Sequence, residues 1–259
     1  MQAQICTKYG SPDVLQLIEI ERPIPKDNEV LIKIVASSVT AADGMMRKGS
    51  PVIGRLFLGL MKPKNPITGT GFAGEIEVVG KDVRLFKPGD QVFGESVLGA
   101  GTNAEYVCVA EQGVLAIKPT NMSYAEAAPV CDGALTSMNF LKDLANIQPG
   151  QSILVNGASG SLGTSAIQIA RYFGAEVTGV CSTTNLERVK SVGADKVSDY
   201  TKEDFTSAGQ SYDIIYDTLG KSSFSSCKRS LTAKGQYLSP VFGVSHLLQM
   251  LWTSKVGSK

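Results

Sequence analysis

The chain has 259 residues, with 25 Lys and Arg against 24 Asp and Glu, a net charge of +1. That length allows one or two domains, and a 43% hydrophobic composition excludes intrinsic disorder, collagen and coiled coil. Residues 1–122 and 123–259 are each close to balanced in sign, so neither carries the basic field that nucleic acid or an anionic membrane would recognise.

A single histidine, His246, excludes any site built on two. Five cysteines with no C-x-x-C pair read as buried thiols in a reducing compartment. The N-terminus lacks a basic stretch followed by an apolar one, so no signal peptide is expected. The uncharged stretches 144–170 and 235–254 are broken by Gly, Ser, Gln or Pro and do not read as membrane spans. The expectation is a cytoplasmic protein with no nucleic-acid or membrane partner.

In chain order, short β-branched runs predict strands at 29–37, 74–79, 91–93 and 105–109, punctuated by turns such as Lys87-Pro88-Gly89-Asp90. This is an irregular, barrel-like β unit. Residues 52–64 are apolar with basic flanks and read as a mobile flap over a cleft or as core, with a membrane-facing patch as the lesser alternative; the apolar part is far too short to span a bilayer. After Pro119 the pattern changes. Ser123 and Glu126 form a capping box, and a longer helix is predicted over 133–145. Strands at 152–156, 176–181, 196–199, 213–216 and 236–238 then alternate with helices at 162–173, 186–192 and 222–231. Such alternation predicts βαβ units and a parallel sheet. The domains are divided at 122/123.

The strand at 152–156 runs into Asn156-Gly157-Ala158-Ser159-Gly160-Ser161-Leu162-Gly163 and then a helix. Glycines let the backbone turn tightly and approach a pyrophosphate, which the helix N-terminus attracts. With a strand before, a helix after and another strand about 20 residues on, the spacing points to dinucleotide binding through Ser159, Gly160, Ser161, Leu162 and Gly163. The next strand leads to Ser182, Thr183, Thr184 and Asn185. An NAD site usually presents a carboxylate there; these four side chains instead offer hydrogen bonds to a 2′-phosphate, so NADP(H) is favoured, with Arg188 as the nearest basic partner.

Val39-Thr40-Ala41-Ala42-Asp43, Gly69-Thr70-Gly71-Phe72-Ala73-Gly74, the stretch from Phe86 to Gly94, Ala104-Glu105-Tyr106 and the glycine turn together resemble the medium-chain dehydrogenase/reductase superfamily, in its zinc-free quinone oxidoreductase branch. The resemblance implies an α/β fold: an N-terminal GroES-like β-rich catalytic domain, then a Rossmann domain with a doubly wound parallel sheet. It places the active site in the cleft between the two. Family members continue past this point, so the chain reads as truncated at its C-terminal end or as naturally short. A homodimer through the further strand is the implied assembly.

Zinc-dependent relatives place metal ligands where this chain has Thr40, Thr70-Gly71 and Asp132, so no metal is expected. The implied activity is hydride transfer from NADPH to a quinone or α,β-unsaturated carbonyl. Thr40 and Asp43 are the candidate catalytic residues, Thr40 as a hydrogen-bond donor to the acceptor and Asp43 chiefly ordering its loop. Met45 stands where several relatives have Tyr. By the same resemblance Thr136 contacts the nicotinamide, Tyr200 lies beside the adenosine phosphate, and Leu219, Ser239 and Pro240 follow the later strands near the nicotinamide. Thr40, Thr136 and Tyr200 also read as packing residues, and Asp217 equally as a cap for the helix at 222. The rival reading is a non-catalytic NADPH-binding regulator or scaffold, suggested by the sparse polar chemistry at Thr40 and Met45. A short-chain dehydrogenase is disfavoured because no Tyr-x-x-x-Lys pair exists.

Overall fold

The computed structural model describes residues 1–50, 52–96 and 101–241. His246 and the end of the stretch from Ser239 to Gly243 lie outside them. The chain divides into two compact units between Asp132 and Gly133, later than the expected 122/123.

The first unit is built on β3 (Glu29–Ser37), β4 (Gly71–Val79), β5 (Gln91–Glu95), β6 (Tyr106–Ala110) and β7 (Val114–Ile117), after a separate antiparallel pair β1 (Gln2–Cys6) and β2 (Leu15–Glu19). The sheet order is β6-β3-β4-β5-β7, with antiparallel pairs throughout. Val30, Ile32, Phe72, Ile76, Val92 and Val107 fill its core at 0–1% exposure. Helix α1 (Ala41–Lys48) leaves β3, and α2 (Arg55–Leu58) is one short turn. Helix α3 (Tyr124–Ala127) opens on the expected capping box, and its end packs Ala127 and Ala128 against Ala73 of β4. That packing joins α3 to the first unit although its helical pattern resembles that of the second.

Helix α4 (Val130–Met138) starts earlier than expected and passes into a π-helical turn at Asn139–Leu144, not a single α-helix over 133–145. The second unit contains β8 (Ser152–Asn156), α5 (Ser161–Tyr172), β9 (Glu176–Cys181), α6 (Leu186–Ser191), β10 (Lys196–Asp199), β11 (Tyr212–Asp217), α7 (Phe224–Cys227) and β12 (Leu231–Leu238). All five strands are parallel, in the order β10-β9-β8-β11-β12. This doubly wound order reverses between β8 and β11. The helix expected over 222–231 is confined to α7 and a 3₁₀ turn at Lys228–Ser230, and β12 takes up Leu231, five residues before the expected strand. Leu231 is buried against Leu154, Ile215 and Cys227, so tertiary burial decides in favour of strand there.

Candidate functional site

The turn after β8 is shaped by its glycines. Gly157 has φ +83, and a side chain there would run into Thr218 and Leu219. Gly163 sits so close to the turn that a Cβ would lie 2.3 Å from the Gly157 carbonyl oxygen, which is the tight helix–strand packing the motif requires. Gly160 differs: φ is −80, and a Cβ would meet only the Gly157 oxygen, at 3.5 Å. Gly160 is also the N-cap of α5, with no side chain to accept the first-turn N–H groups. An uncapped helix N-terminus on a glycine turn is a natural anion site. Ser161 is exposed, Ser159 and Leu162 half-buried, and Gly163 buried.

The loop after β11 meets this turn at the reversal point. Asp217 is fully buried and accepts four hydrogen bonds, from Asn156 Nδ2 (3.1 Å), Leu219 N–H (3.2 Å), Ser222 N–H (2.7 Å) and Tyr237 Oη (3.1 Å). Thr218 Oγ1 donates to the Asn156 carbonyl at 2.8 Å. The carboxylate therefore fastens the β11 loop to the end of β8, whereas α7 itself is capped by Ser223. A cavity of about 490 Å³ opens at these strand ends, lined by Asn156, Val180, Tyr200, Lys202, Leu219 and Lys221 among others. Of the residues expected around a dinucleotide, Tyr200 and Leu219 line it, at 60% and 48% exposure. Thr136 is half-buried on α4, Arg188 is exposed on α6, and Ser239 and Pro240 are half-buried just past β12.

The loop after β9 carries a charge that its own residues do not announce. The Thr183 hydroxyl donates to Asp199, at the end of neighbouring β10, and Thr201 donates to the same carboxylate from its N–H (3.0 Å) and hydroxyl (2.7 Å). These bonds, the one from Thr183 foremost, hold the Asp199 carboxyl down to about 2. Ser182 Oγ lies 3.1 Å from Thr184 Oγ1 and accepts from Asn185 Nδ2 at 2.9 Å. The loop is thus tied to itself and to an ionised carboxylate, contrary to the expectation that no acid stands there. Lys202 Nζ, 3.6 Å from Asp199, offsets part of that charge. Sequence missed the pairing because β10 brings Asp199 beside Cys181 only through the sheet register.

In the first unit Thr40 is the N-cap of α1. Its N–H and hydroxyl both donate to Asp43 Oδ2, at 2.7 and 3.0 Å. The hydroxyl proton of Thr40 is therefore committed to Asp43. Asp43 is 8% exposed, and its other oxygen is buried without a hydrogen-bond partner among the described residues. The Thr70 hydroxyl, also at 8% exposure, is in the same condition. Both residues line a cavity of about 260 Å³ walled by Tyr9, Met46, Arg47 and Phe57. Two unpartnered polar groups in one cavity wall are what a bound ligand would satisfy. Burial, with the Asp132 and Asp43 carboxylates adding to it, pushes the Glu95 carboxyl upward.

The donors do not fit a catalytic zinc, which takes about three protein ligands from His, Cys or carboxylates. Gly71 has no side chain and Thr40 caps a helix. Among the described residues no three His, Cys, Asp or Glu side chains are grouped to hold a metal ion. Burial pushes the Cys131 thiol, next to Asp132, up to about 11 and keeps it protonated.

Two family models match the chain: the alcohol dehydrogenase GroES-like domain over residues 26–119, and the zinc-binding dehydrogenase domain over residues 161–248. The chain is 38% identical over 231 residues to a 2-methylene-furan-3-one reductase of Solanum lycopersicum, covering 85% of this chain and 58% of that protein. It is 32% identical over 262 residues to a chloroplastic quinone-oxidoreductase homologue of Spinacia oleracea, covering 96% of this chain and 77% of that protein. The quinone oxidoreductase of Coxiella burnetii superposes with a TM-score of 0.84 at 27% identity, over 98% of this chain and 80% of that one. With both domains matched in order and 77% of a quinone-oxidoreductase homologue covered at 32% identity, the chain belongs to the medium-chain dehydrogenase/reductase superfamily.

Proposed function

We propose that the protein is an NADPH-dependent, zinc-independent reductase of quinones or α,β-unsaturated carbonyls. The observation that carries this reading is the glycine turn with its uncapped helix N-terminus at Gly160. The names of the tomato enone reductase and of the quinone-oxidoreductase relatives support the acceptor class. A bound reduced nicotinamide supplies the hydride. The chain's own residues supply binding and orientation. The first-turn N–H groups of α5 take the pyrophosphate. Asp217 fixes Leu219 over the strand ends. Lys202 offsets the Asp199 charge near the adenosine ribose and leaves the loop tolerant of a 2′-phosphate.

At the acceptor, the hydrogen bonding supports Thr70 rather than Thr40 as the donor. Thr40 is held by Asp43, whereas the Thr70 hydroxyl lines the cavity without a partner. Thr70 then donates to the acceptor oxygen as negative charge develops on it. Thr70→Val should lower kcat about a hundredfold while leaving NADPH affinity unchanged. Equal turnover by Thr70→Val and the parent protein would remove Thr70 from this role. The assay is the loss of NADPH absorbance with a panel of quinones and enones.

A second reading, a dinucleotide-binding protein without turnover, is favoured by the commitment of Thr40 to Asp43 and by an exposed apolar Met45. Saturable NADPH binding with no turnover across the panel would establish it.

A further inference from the structure

We propose that residues 52–64 form a docking surface for an anionic lipid bilayer. Val52, Ile53, Leu56, Phe57, Leu60 and Met61 are 61–90% exposed, a concentration of apolar side chains that soluble surfaces rarely carry in one segment. The backbone that carries them is held in place. The Tyr9 hydroxyl donates to the Gly59 carbonyl at 2.6 Å, and the Lys64 N–H donates to the Leu58 carbonyl at 2.7 Å. The Arg55 guanidinium bonds the Gly49 carbonyl at 2.9 Å and lies over the Tyr9 ring. The backbone is pinned at its base; Val52, Ile53, Leu60 and Met61 are exposed away from the cavity beside it, whereas Leu56 and Phe57 are exposed and also line that cavity.

Charge selects the partner. From residue 44 to residue 74 the chain has five basic residues, Arg47, Lys48, Arg55, Lys62 and Lys64, and no Asp or Glu. The balanced sign of residues 1–122 as a whole conceals this local field. Lys48, Lys62 and Lys64 are exposed, and none is in a salt bridge among the described residues. An exposed apolar segment flanked along the chain by lysines without salt bridges is complementary to acyl chains beneath anionic headgroups. A second copy of the same surface would set like charges against each other. Lying on a membrane needs no spanning length, so the shortness of the segment is no obstacle.

The inner side of the segment bears on the acceptor, if the reductase reading holds. Leu56, Phe57, Leu58, Pro63 and Lys64 wall the cavity that holds Thr70 and Asp43. A lipophilic quinone or enone dissolved in the bilayer would thus enter at the docked face.

The test is co-sedimentation of the purified chain with phosphatidylcholine vesicles, with and without phosphatidylserine, at low and high salt. NADPH binding is measured in parallel, so that failure of docking is separable from failure of the reductase reading. Binding to phosphatidylserine-containing vesicles, reversed in part by salt, is expected. The triple variant F57S/L60S/M61S should bind at least about tenfold more weakly. Lys62→Gln and Lys64→Gln should each cost about fivefold. These positions are exposed, and an unchanged thermal midpoint will show that the variants fold. No binding to phosphatidylserine-containing vesicles, or equal binding by the triple variant, would overturn the proposal. A dimer by sedimentation that the triple variant dissociates, without vesicle binding, would assign the surface to a second copy and overturn it equally.

Discussion

Gly160 separates folding from ligand binding better than any other residue of the turn. A Cβ there makes only an ordinary contact, 3.5 Å from the Gly157 oxygen, at an ordinary φ, and Asp is a better N-cap than Gly by about a few tenths of a kcal/mol. Gly160→Asp should therefore leave the thermal midpoint unchanged or raised. The same carboxylate would face the pyrophosphate, so dinucleotide affinity should fall below detection. Calorimetry and a binding titration on one preparation check both halves. At Gly163 the sign reverses: its Cβ would overlap the Gly157 carbonyl, so Gly163→Ala should destabilise by about 1–3 kcal/mol in denaturant titrations.

Asp199 makes a pH prediction. Its carboxyl is held down to about 2 in the folded chain, chiefly by the Thr183 hydroxyl, against an ordinary value of 3.8. A depressed pKa adds stability above the unfolded value, and that stability is lost as pH falls from about 4 to about 2. Asp199→Asn should flatten the stability profile in that window and leave its shape above pH 5 unchanged. An unaltered acid limb would mean that the Thr183 and Thr201 bonds do not hold the carboxylate. The glycines and polar runs were legible from the residues themselves. The Asp199–Thr183 bond was not, because sixteen residues separate its partners and only the β9–β10 register joins them.

At the scale of elements, burial decided what was legible. Strands β3, β8 and β9 coincide with the expected runs, since a largely buried strand reads as near-continuous apolar sequence; β10, with the sequence Lys-Val-Ser-Asp, coincides too, although only Asp199 in it is buried. Strands β1 and β2 were missed. They are short, mixed in polarity and partly exposed, and they exist by pairing with each other across a gap that no local signal spans. The π-helical turn after α4 likewise has no local signature. Its consequence is local: Phe140 stacks on Tyr216 of β11 with ring centroids 5.5 Å apart. The loop after β11 depends on one buried acid. Asp217→Ala removes four acceptor bonds and leaves buried donors unpaired, a loss of about 3 kcal/mol. It should also weaken dinucleotide binding, because Leu219 loses its anchor. Denaturant unfolding and the titration, run together, test the two effects.

For the whole molecule, the composition says a good deal about chemistry and little about surfaces. All five thiols are free, four of them buried, and burial raises both Cys108 and Cys131 to about 11. The folded chain should therefore react slowly with a thiol reagent at pH 8, and all five should react after unfolding in guanidinium. A near-zero net charge, by contrast, gave no hint of the basic, apolar stretch at residues 52–64; local sequence showed its composition, and the structure adds that its apolar side chains are exposed. The two-unit architecture was recognisable because each unit keeps its own periodicity. Its division at Asp132 was not, because α3 is assigned by what it packs on.

The central claim is that the parallel sheet of the second unit holds a reduced dinucleotide at the Gly160 turn. The most direct measurement is a fluorescence titration of the 259-residue chain, and of Gly160→Asp beside it, with NADPH and with NADH. Saturable binding by the parent chain, tighter for NADPH and absent in Gly160→Asp, is the result predicted. Failure to bind either dinucleotide, or equal affinity in the folded Gly160→Asp variant, would contradict it.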